Sequence, residues 1–364
     1  MKIISVETLV LNLPMTIDGP APMLGGRART SIDMLLVRIE TDAGLVGWGE
    51  AFGHRIFHAT RAAIDTLLGP MCVGRDPAQI TAINDDLQRA LHGVGRNGPA
   101  LYALSGIDIA LWDLAGKAAG LPLYRLLGGG GRADLPAYAS LLRYGQADAV
   151  ARYTAQALER GYRHVKLHEI TVPEIKAGRE VAGPGVPIMV DTNCPWTVTE
   201  AIEMAHRLAP FDLTWLEEPV WPPEDLAGLA EVRARGGIPT AAGENYGTVW
   251  EFRRACQARA ISYAQPSVTK IGGVTELRRV IALAETSGVQ VVPHSAYFGP
   301  GLLASIHCIA AMARETLVER FYCDFADNPL GEAIQPNNGR IAVPQGPGLG
   351  VDPDPELLRR LRTS

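Results

Sequence analysis

The sequence predicts an α/β protein: a parallel barrel preceded by a smaller α+β domain. Three observations predict it. From Leu135 onward eight short apolar runs (LPAYAS, RHVKLH, VPIMVD, LTWLE, IPTAAGE, ISYAQPS, VQVVPH and TLVER) alternate with amphipathic helical segments, as a parallel architecture requires. The last seven runs close on His168, Asp191, Glu217, Glu244, Ser267, His294 and Glu319, and in a (β/α)8 barrel the strand C-termini form the active-site face. The residues ahead of them put strands first and helices after.

In chain order, strands are expected near Ile3 to Leu13 and Met34 to Ile39, then a turn at Asp42 to Gly44 and a strand in LVGWGE. Apolar residues at helical spacing predict helices over His58 to Leu68, Ala78 to Leu91 and Pro99 to Ala119, the last ended by Gly120 and Pro122. The glycine run LLGGGGR, Leu126 to Arg132, reads as a linker. It divides a capping domain, residues 1–128, from a barrel, residues 129–329. After Glu319 a Pro- and Gly-rich stretch and a short helix from Pro355 form a tail, about 330–364, expected to return to the first domain. That domain then lies over the barrel mouth, with residues 19–29 and 53–58 as lids.

A chain of 364 residues can bury a large core in two domains. The net charge of −5 is mild and the basic residues form no block, which argues against nucleic acid or an anionic membrane as partner. Five scattered cysteines without a CxxC suit a reducing compartment. The N-terminus lacks the pattern of a signal peptide, and no stretch has the roughly 20 uninterrupted apolar residues of a membrane span. The expectation is a cytoplasmic protein whose partners are a small-molecule carboxylate and further copies of itself in a homo-oligomer.

Asp191, Glu217 and Glu244 end three successive strand-like runs. One acidic residue at a strand end is ordinarily just solvated. Three in register describe one site, and three anions so close repel one another unless a cation neutralises them. Oxygen-only ligands favour Mg2+, with Mn2+ as the alternative, over zinc. Side chains alternate along a strand, so Lys166 shares a face with His168, and Asn193 continues the face of Asp191. His164 shares that parity but lies deeper, where a core histidine is expected. His206 and His307 fall in helical stretches and read as packing or surface residues.

The motifs GLVGWGEA, ALSGIDIALWDLAGK, WLEEPV, GEN, KIGGVTE, VPH and PGLG together resemble the enolase superfamily, and within it the mandelate racemase/muconate lactonizing group. The resemblance covers nearly the whole chain. It implies a (β/α)7β TIM-like barrel under an α+β capping domain, with Mg2+ held by Asp191, Glu217 and Glu244. Glu218, on the opposite strand face, is left out. It also implies removal of the proton α to a carboxylate through an enediolate, by a Lys or His base, and a protonated Glu319 that donates to the substrate carboxylate.

Two departures from that group bear on the acid and base. Lys166, Leu167 and His168 stand where many relatives have Lys-x-Lys, and Ser267 stands where racemase-like proteins pair an Asp with the histidine of the seventh strand. A neutral imidazole can act as base near neutral pH, so His168 remains a candidate base beside Lys166, with the choice among His168, Lys166 and His294 left open. His294, without an Asp, suits a proton donor to a leaving group at least as well as a strong base, and Ser267 can hydrogen-bond it. Lys270 reads as a supporting cation. Asn193 and Ser267 are candidate substrate contacts, Arg27 or Arg29 in the first lid can clamp a distal anionic group, and Trp196, Trp221, Tyr246, Tyr297 and Phe298 follow strand ends where they can wall the pocket.

The expected reaction is dehydration of a sugar acid or related hydroxy acid. Racemisation or epimerisation of a 2-hydroxy or amino acid is the alternative, and cycloisomerisation of a lactone or cyclic ether the third. A non-catalytic, metal-stapled scaffold would explain the substitutions at His168 and Ser267. It gives no chemical reason for Lys166, His294 and Glu319 to stand at strand ends.

Overall fold

The computed structural model describes residues 1–17, 21–24 and 27–363. Of the first expected lid, residues 19, 20, 25 and 26 therefore lie outside the described residues. Long alternating runs make Ile3–Thr16 and Ser31–Thr41 an antiparallel pair, to which Val46–Ala51 adds across the turn. Gly44 permits that turn by adopting a φ of +78°, open to a residue without Cβ.

One face of this sheet carries Leu35, Val37 and Ala51 into a core shared with Ile107 and Ala110 of the helix Pro99–Ala119. The helix spans the residues its sequence predicts. Pro99 is tolerated in its first turn, where the missing N–H costs nothing, and Gly120 caps it in the left-handed conformation. The helix comes so close to the sheet that a Cβ on Gly49 would lie 1.9 Å from the Gly106 carbonyl oxygen.

Eight parallel strands follow: Asp134–Ser140, Val165–Leu167, Ile188–Asp191, Leu213–Glu217, Thr240–Ala242, Tyr263–Ala264, Gln290–Val291 and Val318–Phe321. The first seven pair in sequence order, and the eighth pairs with the first. A helix stands between each strand and the next and none of that kind follows the eighth, giving a (β/α)7β barrel among the described residues. Tyr138, Met189, Trp215, Ala241 and Val292 fill the lower interior as one apolar layer, so the chemistry is confined to the C-terminal mouth.

The sixth and seventh strands are only two residues long, shorter than the apolar runs suggest. Pro266 and Pro293 have no N–H for the ladder. Ser267 and His294 therefore sit beyond the strands, joined by an isolated parallel bridge. Glu244 likewise lies past its strand, after Gly243 at a φ of +140°.

The first sheet and helices sit against the barrel through buried carboxylates. Glu50 accepts from Gly301 N (2.9 Å) at the start of the helix Pro300–Ala311, and Asp108 from Thr275 N (2.9 Å) in the first turn of Gly273–Thr286. The C-terminal segment returns to the first sheet. Asp324–Phe325 pairs with Met15–Thr16, Leu349 N donates to Asp113 Oδ1 (2.7 Å), and Thr363 N donates to Val10 O (2.9 Å).

Two histidines depart from one another. His307 is fully buried, held between Tyr124 N and Leu349 O, and burial lowers its pKa to about 4. His164 is not a core residue: it is half-buried at the lower barrel opening, beside Arg163, Trp215 and Tyr263, because its strand starts one residue later at Val165.

Candidate active site

At the barrel mouth Asp191, Glu217 and Glu244 converge, each offering an oxygen within 4.8 Å of the others. Asp191 and Glu217 are fully buried. Asn193 N (3.0 Å) and Nδ2 (2.9 Å) both donate to Asp191 Oδ1, and Trp215 Nε1 donates to Glu217 Oε2 (2.9 Å). Octahedral Mg2+ at about 2.1 Å sets neighbouring oxygens about 3 Å apart and opposite ones about 4.2 Å. A small inward movement would bring this all-oxygen cluster to those spacings, so the donor set fits the ion. Glu218 turns away, accepting both oxygens' bonds from Asn245 Nδ2 (3.1 and 2.9 Å).

Cationic side chains offset part of the repulsion among the three carboxylates. Lys166 Nζ, fully buried, lies 3.3 Å from Asp191 Oδ2, 3.1 Å from Glu217 Oε1 and 2.8 Å from Glu319 Oε1. His168 Nε2 is 3.2 Å from Asp191 Oδ2, His294 Nε2 is 2.9 Å from Glu244 Oε2, and Lys270 Nζ is 3.8 Å from Glu244 Oε1. Four cation-capable side chains thus interleave with the acids.

The charges set one another. Burial raises the carboxyl pKa of Asp191, yet the Lys166 and His168 charges outweigh it and hold the group low. For Glu244, burial is outweighed by His294 and Lys270. Glu217 goes the other way, raised by burial and by the negative charge of Asp191. Lys166 is held well above the usual ammonium range because Glu217 and Glu319 overcome its desolvation.

Glu319 faces donors here, where the resemblance implies a protonated donor. Burial pushes its pKa up, but Lys166 and His294 bring it to about 2, and it accepts from Ser140 Oγ (2.7 Å) and Ser295 N (2.8 Å). An anion ringed by donors cannot itself donate. The sequence places Glu319 at a strand end but does not show the lysine across the barrel.

His168 Nδ1 contacts Leu141 O, a pure acceptor, so Nδ1 carries a hydrogen and Nε2 is the nitrogen that faces the carboxylates. Three expected substrate contacts are otherwise engaged. Asn193 is committed to Asp191 and to Arg143 (3.2 Å). Ser267 and Tyr297 are buried behind His294 and hydrogen-bonded to each other. Arg27 is exposed on the short hairpin Met23–Leu24/Arg27–Ala28, and no hydrogen bond or ion pair joins it to the site among the described residues.

Of the aromatic candidates, Trp221 points outward at 68 % exposure, while Phe298 packs on Phe321 and Phe325 in the core. Sequence reasoning missed His54. The partly buried imidazole stacks edge-on against Phe52, and burial together with the Lys270 and His294 charges lowers its pKa to about 4. The Arg29 charge acts on the same imidazole. The available signal was the position of His54 four residues after Glu50, in a loop already read as a lid.

A cluster of three carboxylates at successive strand ends, with a lysine and two imidazoles around it, is the set of groups that acid–base chemistry at a barrel mouth calls for. Residues 5–128 match the mandelate racemase/muconate lactonizing enzyme N-terminal domain, and residues 149–357 the enolase C-terminal domain-like family. The chain belongs to the enolase superfamily, in its mandelate racemase/muconate lactonizing group.

Among similar proteins, D-galactarolactone cycloisomerase of Agrobacterium fabrum is 34% identical over 383 aligned residues, covering 100% of this chain and 99% of the relative. Arabinonate dehydratase of Saccharolobus solfataricus is 31% identical, covering 89% of each chain. A crystal structure of a racemase from Streptomyces coelicolor with bound magnesium superposes with a TM-score of 0.88 at 32% identity, covering 99% of this chain and 100% of that one.

Proposed function

We propose that this protein removes the α-proton of a sugar-acid carboxylate and expels the β-oxygen, Mg2+ being held by Asp191, Glu217 and Glu244. The observation that carries the reading is the placement of two imidazoles at the two ends of the carboxylate cluster, His168 at Asp191 and His294 at Glu244. Mg2+, when bound, supplies Lewis-acid charge for a carboxylate that must take on a second negative charge.

His168 Nε2 takes the α-proton. Lys166, kept protonated by its three carboxylate neighbours, is the poorer base and serves as a fixed positive charge beside the developing enediolate. As the β carbon–oxygen bond breaks, the electron pair of the α C–H bond becomes the new C=C. His294 Nε2 gives its proton to the departing oxygen, and the enol tautomerises to a 2-keto acid. Glu319 keeps Lys166 in place. We further propose that residues 1–128, with the tail from about 330, cap the barrel of residues 129–329.

When the β-oxygen is a hydroxyl this is dehydration. When it is a lactone or ring oxygen the same steps open the ring, a second reading favoured by the 34% identity to a cycloisomerase. Among the described residues no helix is long and apolar enough to cross a membrane, and the cysteines are free, which supports a cytoplasmic place. The test is a panel of acid sugars including arabinonate and D-galactarolactone, assayed for 2-keto acid with Mg2+ and with excess chelator. Mg2+-dependent keto acid from a panel member is expected. Isomerisation at Cα without loss of oxygen would overturn elimination in favour of racemisation.

A further inference from the structure

We infer that Ser267 and Tyr297 form a closed, uncharged hydrogen-bond loop that fixes the hydrogen of His294 on Nδ1, making both residues positioning residues for the imidazole. The inference deepens the proposed acid role of His294 and rests on it only for its catalytic meaning.

Hydrogen counting carries the argument. Tyr297 Oη donates to the His294 backbone carbonyl at 2.8 Å. That oxygen can only accept, so the single phenolic hydrogen is consumed there. Burial pushes the phenol pKa up, so that hydrogen is retained. Ser267 Oγ contacts Tyr297 Oη, and with the phenolic hydrogen committed the serine must be the donor. Ser267 Oγ, its own hydrogen spent, can then only accept from His294 Nδ1 at 3.3 Å. The loop runs His294 Nδ1–H, Ser267 O–H, Tyr297 O–H, His294 C=O, and closes on the residue where it began.

All three side chains are buried, at 5 % exposure or less, and the Thr269 hydroxyl, which also lowers the phenol pKa, does so as a donor to Oη and leaves the count unchanged. The bridge between Ser267 and His294 and the three-residue step to Tyr297 hold the backbones in register. An aspartate at position 267, as in the racemase-like proteins this sequence departs from, would impose the same tautomer but add a negative charge behind the ring. The serine and tyrosine impose it without charge. Nε2 is thereby the one nitrogen left to exchange a proton with substrate, and the imidazolium is not stabilised from behind. Once Nε2 is also protonated, the imidazolium can pass that proton only through Nε2, the site of the proposed delivery to the departing oxygen.

The loop works against Glu244. Its Oε2 lies 2.9 Å from His294 Nε2 and favours a hydrogen there. Removing the phenol frees the Ser267 hydrogen to point at Nδ1, and the ring hydrogen moves to Nε2.

The test reads this directly on Mg2+-loaded protein with 15N-labelled histidine. His294 is assigned by its loss in His294→Asn, and spectra are taken near pH ~9, above the usual imidazole range. Wild type is expected to show the N–H type resonance at Nδ1. In Tyr297→Phe it is expected to shift to Nε2. Ser267→Ala should do the same, and covers a folding failure of the first variant. Ser267→Asp placed on Tyr297→Phe should return it to Nδ1. An N–H at Nε2 and none at Nδ1 in wild type, or an unchanged Nδ1 hydrogen in both single variants, would overturn the inference. No substrate enters the measurement, so a wrong reaction assignment leaves it intact.

Discussion

Lys166 is fully buried against three carboxylates, which makes it the residue whose loss is easiest to predict. Lys166→Met leaves Asp191, Glu217 and Glu319 buried without their shared cation, a loss of about 3–5 kcal/mol for a broken buried pair. Metal-free protein should unfold at clearly lower denaturant, and Mg2+ should recover much of the difference, as read by urea titration with and without the ion. The two imidazoles separate by chemistry. With a turned-over acid sugar in D2O, His294→Asn should still exchange the α-hydrogen while forming no product, and His168→Asn should lose both. NMR of each variant distinguishes them, and exchange surviving only in His168→Asn would reverse the roles.

The acids at strand ends, Lys166 and both imidazoles were legible because strand parity and the active-site face of a barrel are set by backbone geometry. The protonation of Glu319, the engagement of Asn193 and the loop behind His294 were not. They depend on contacts between strands far apart in sequence, such as the 2.8 Å approach of Lys166 to Glu319.

At the scale of elements, local signals were read well where a residue type has one use. Pro99 and Gly120 bracket their helix as expected. Thr197 with Glu200 forms a reciprocal cap on Val198–Leu208 that sequence reasoning did not single out. Thr197→Ala should cost about 1 kcal/mol, seen as a small shift of the urea midpoint with the slope unchanged. The strand ends were over-extended because apolar runs continue through Pro266 and Pro293, where the ladder cannot.

Close approach was invisible in the sequence. Gly49 reads as an ordinary strand glycine, yet a methyl group there meets the Gly106 carbonyl at 1.9 Å. Gly49→Ala should push helix from sheet, costing roughly 1–3 kcal/mol or more. Full stability of that variant in the same titration would show that the helix can shift at no cost.

Across the whole molecule the first sheet and helices meet the barrel through Glu50 and Asp108, both anchored on barrel helices. Burial raises each carboxyl to about 7, against backbone donors that lower it. A folded-state pKa above the unfolded one means the folded protein binds the proton more tightly. The stabilisation is fully present below about pH 4 and is lost as pH rises through about 7. For Glu50, shifted from 4.5 to about 7, this amounts to roughly 3 kcal/mol. Stability should therefore decline between about pH 5 and 8, and the slope should flatten in Glu50→Gln. A slope unaltered by that substitution would remove Glu50 from the account.

The central claim is that the carboxylate cluster, with Mg2+, makes an α-hydrogen exchangeable. The most direct measurement is washout of the Cα hydrogen into D2O, followed by proton NMR over the acid-sugar panel with Mg2+, with excess chelator, and in Glu244→Gln. The account predicts washout from at least one acid sugar with Mg2+, abolished by chelator and by the substitution while the protein stays folded. Washout that persists undiminished in chelator and in Glu244→Gln, or none from any panel member with Mg2+, would contradict it.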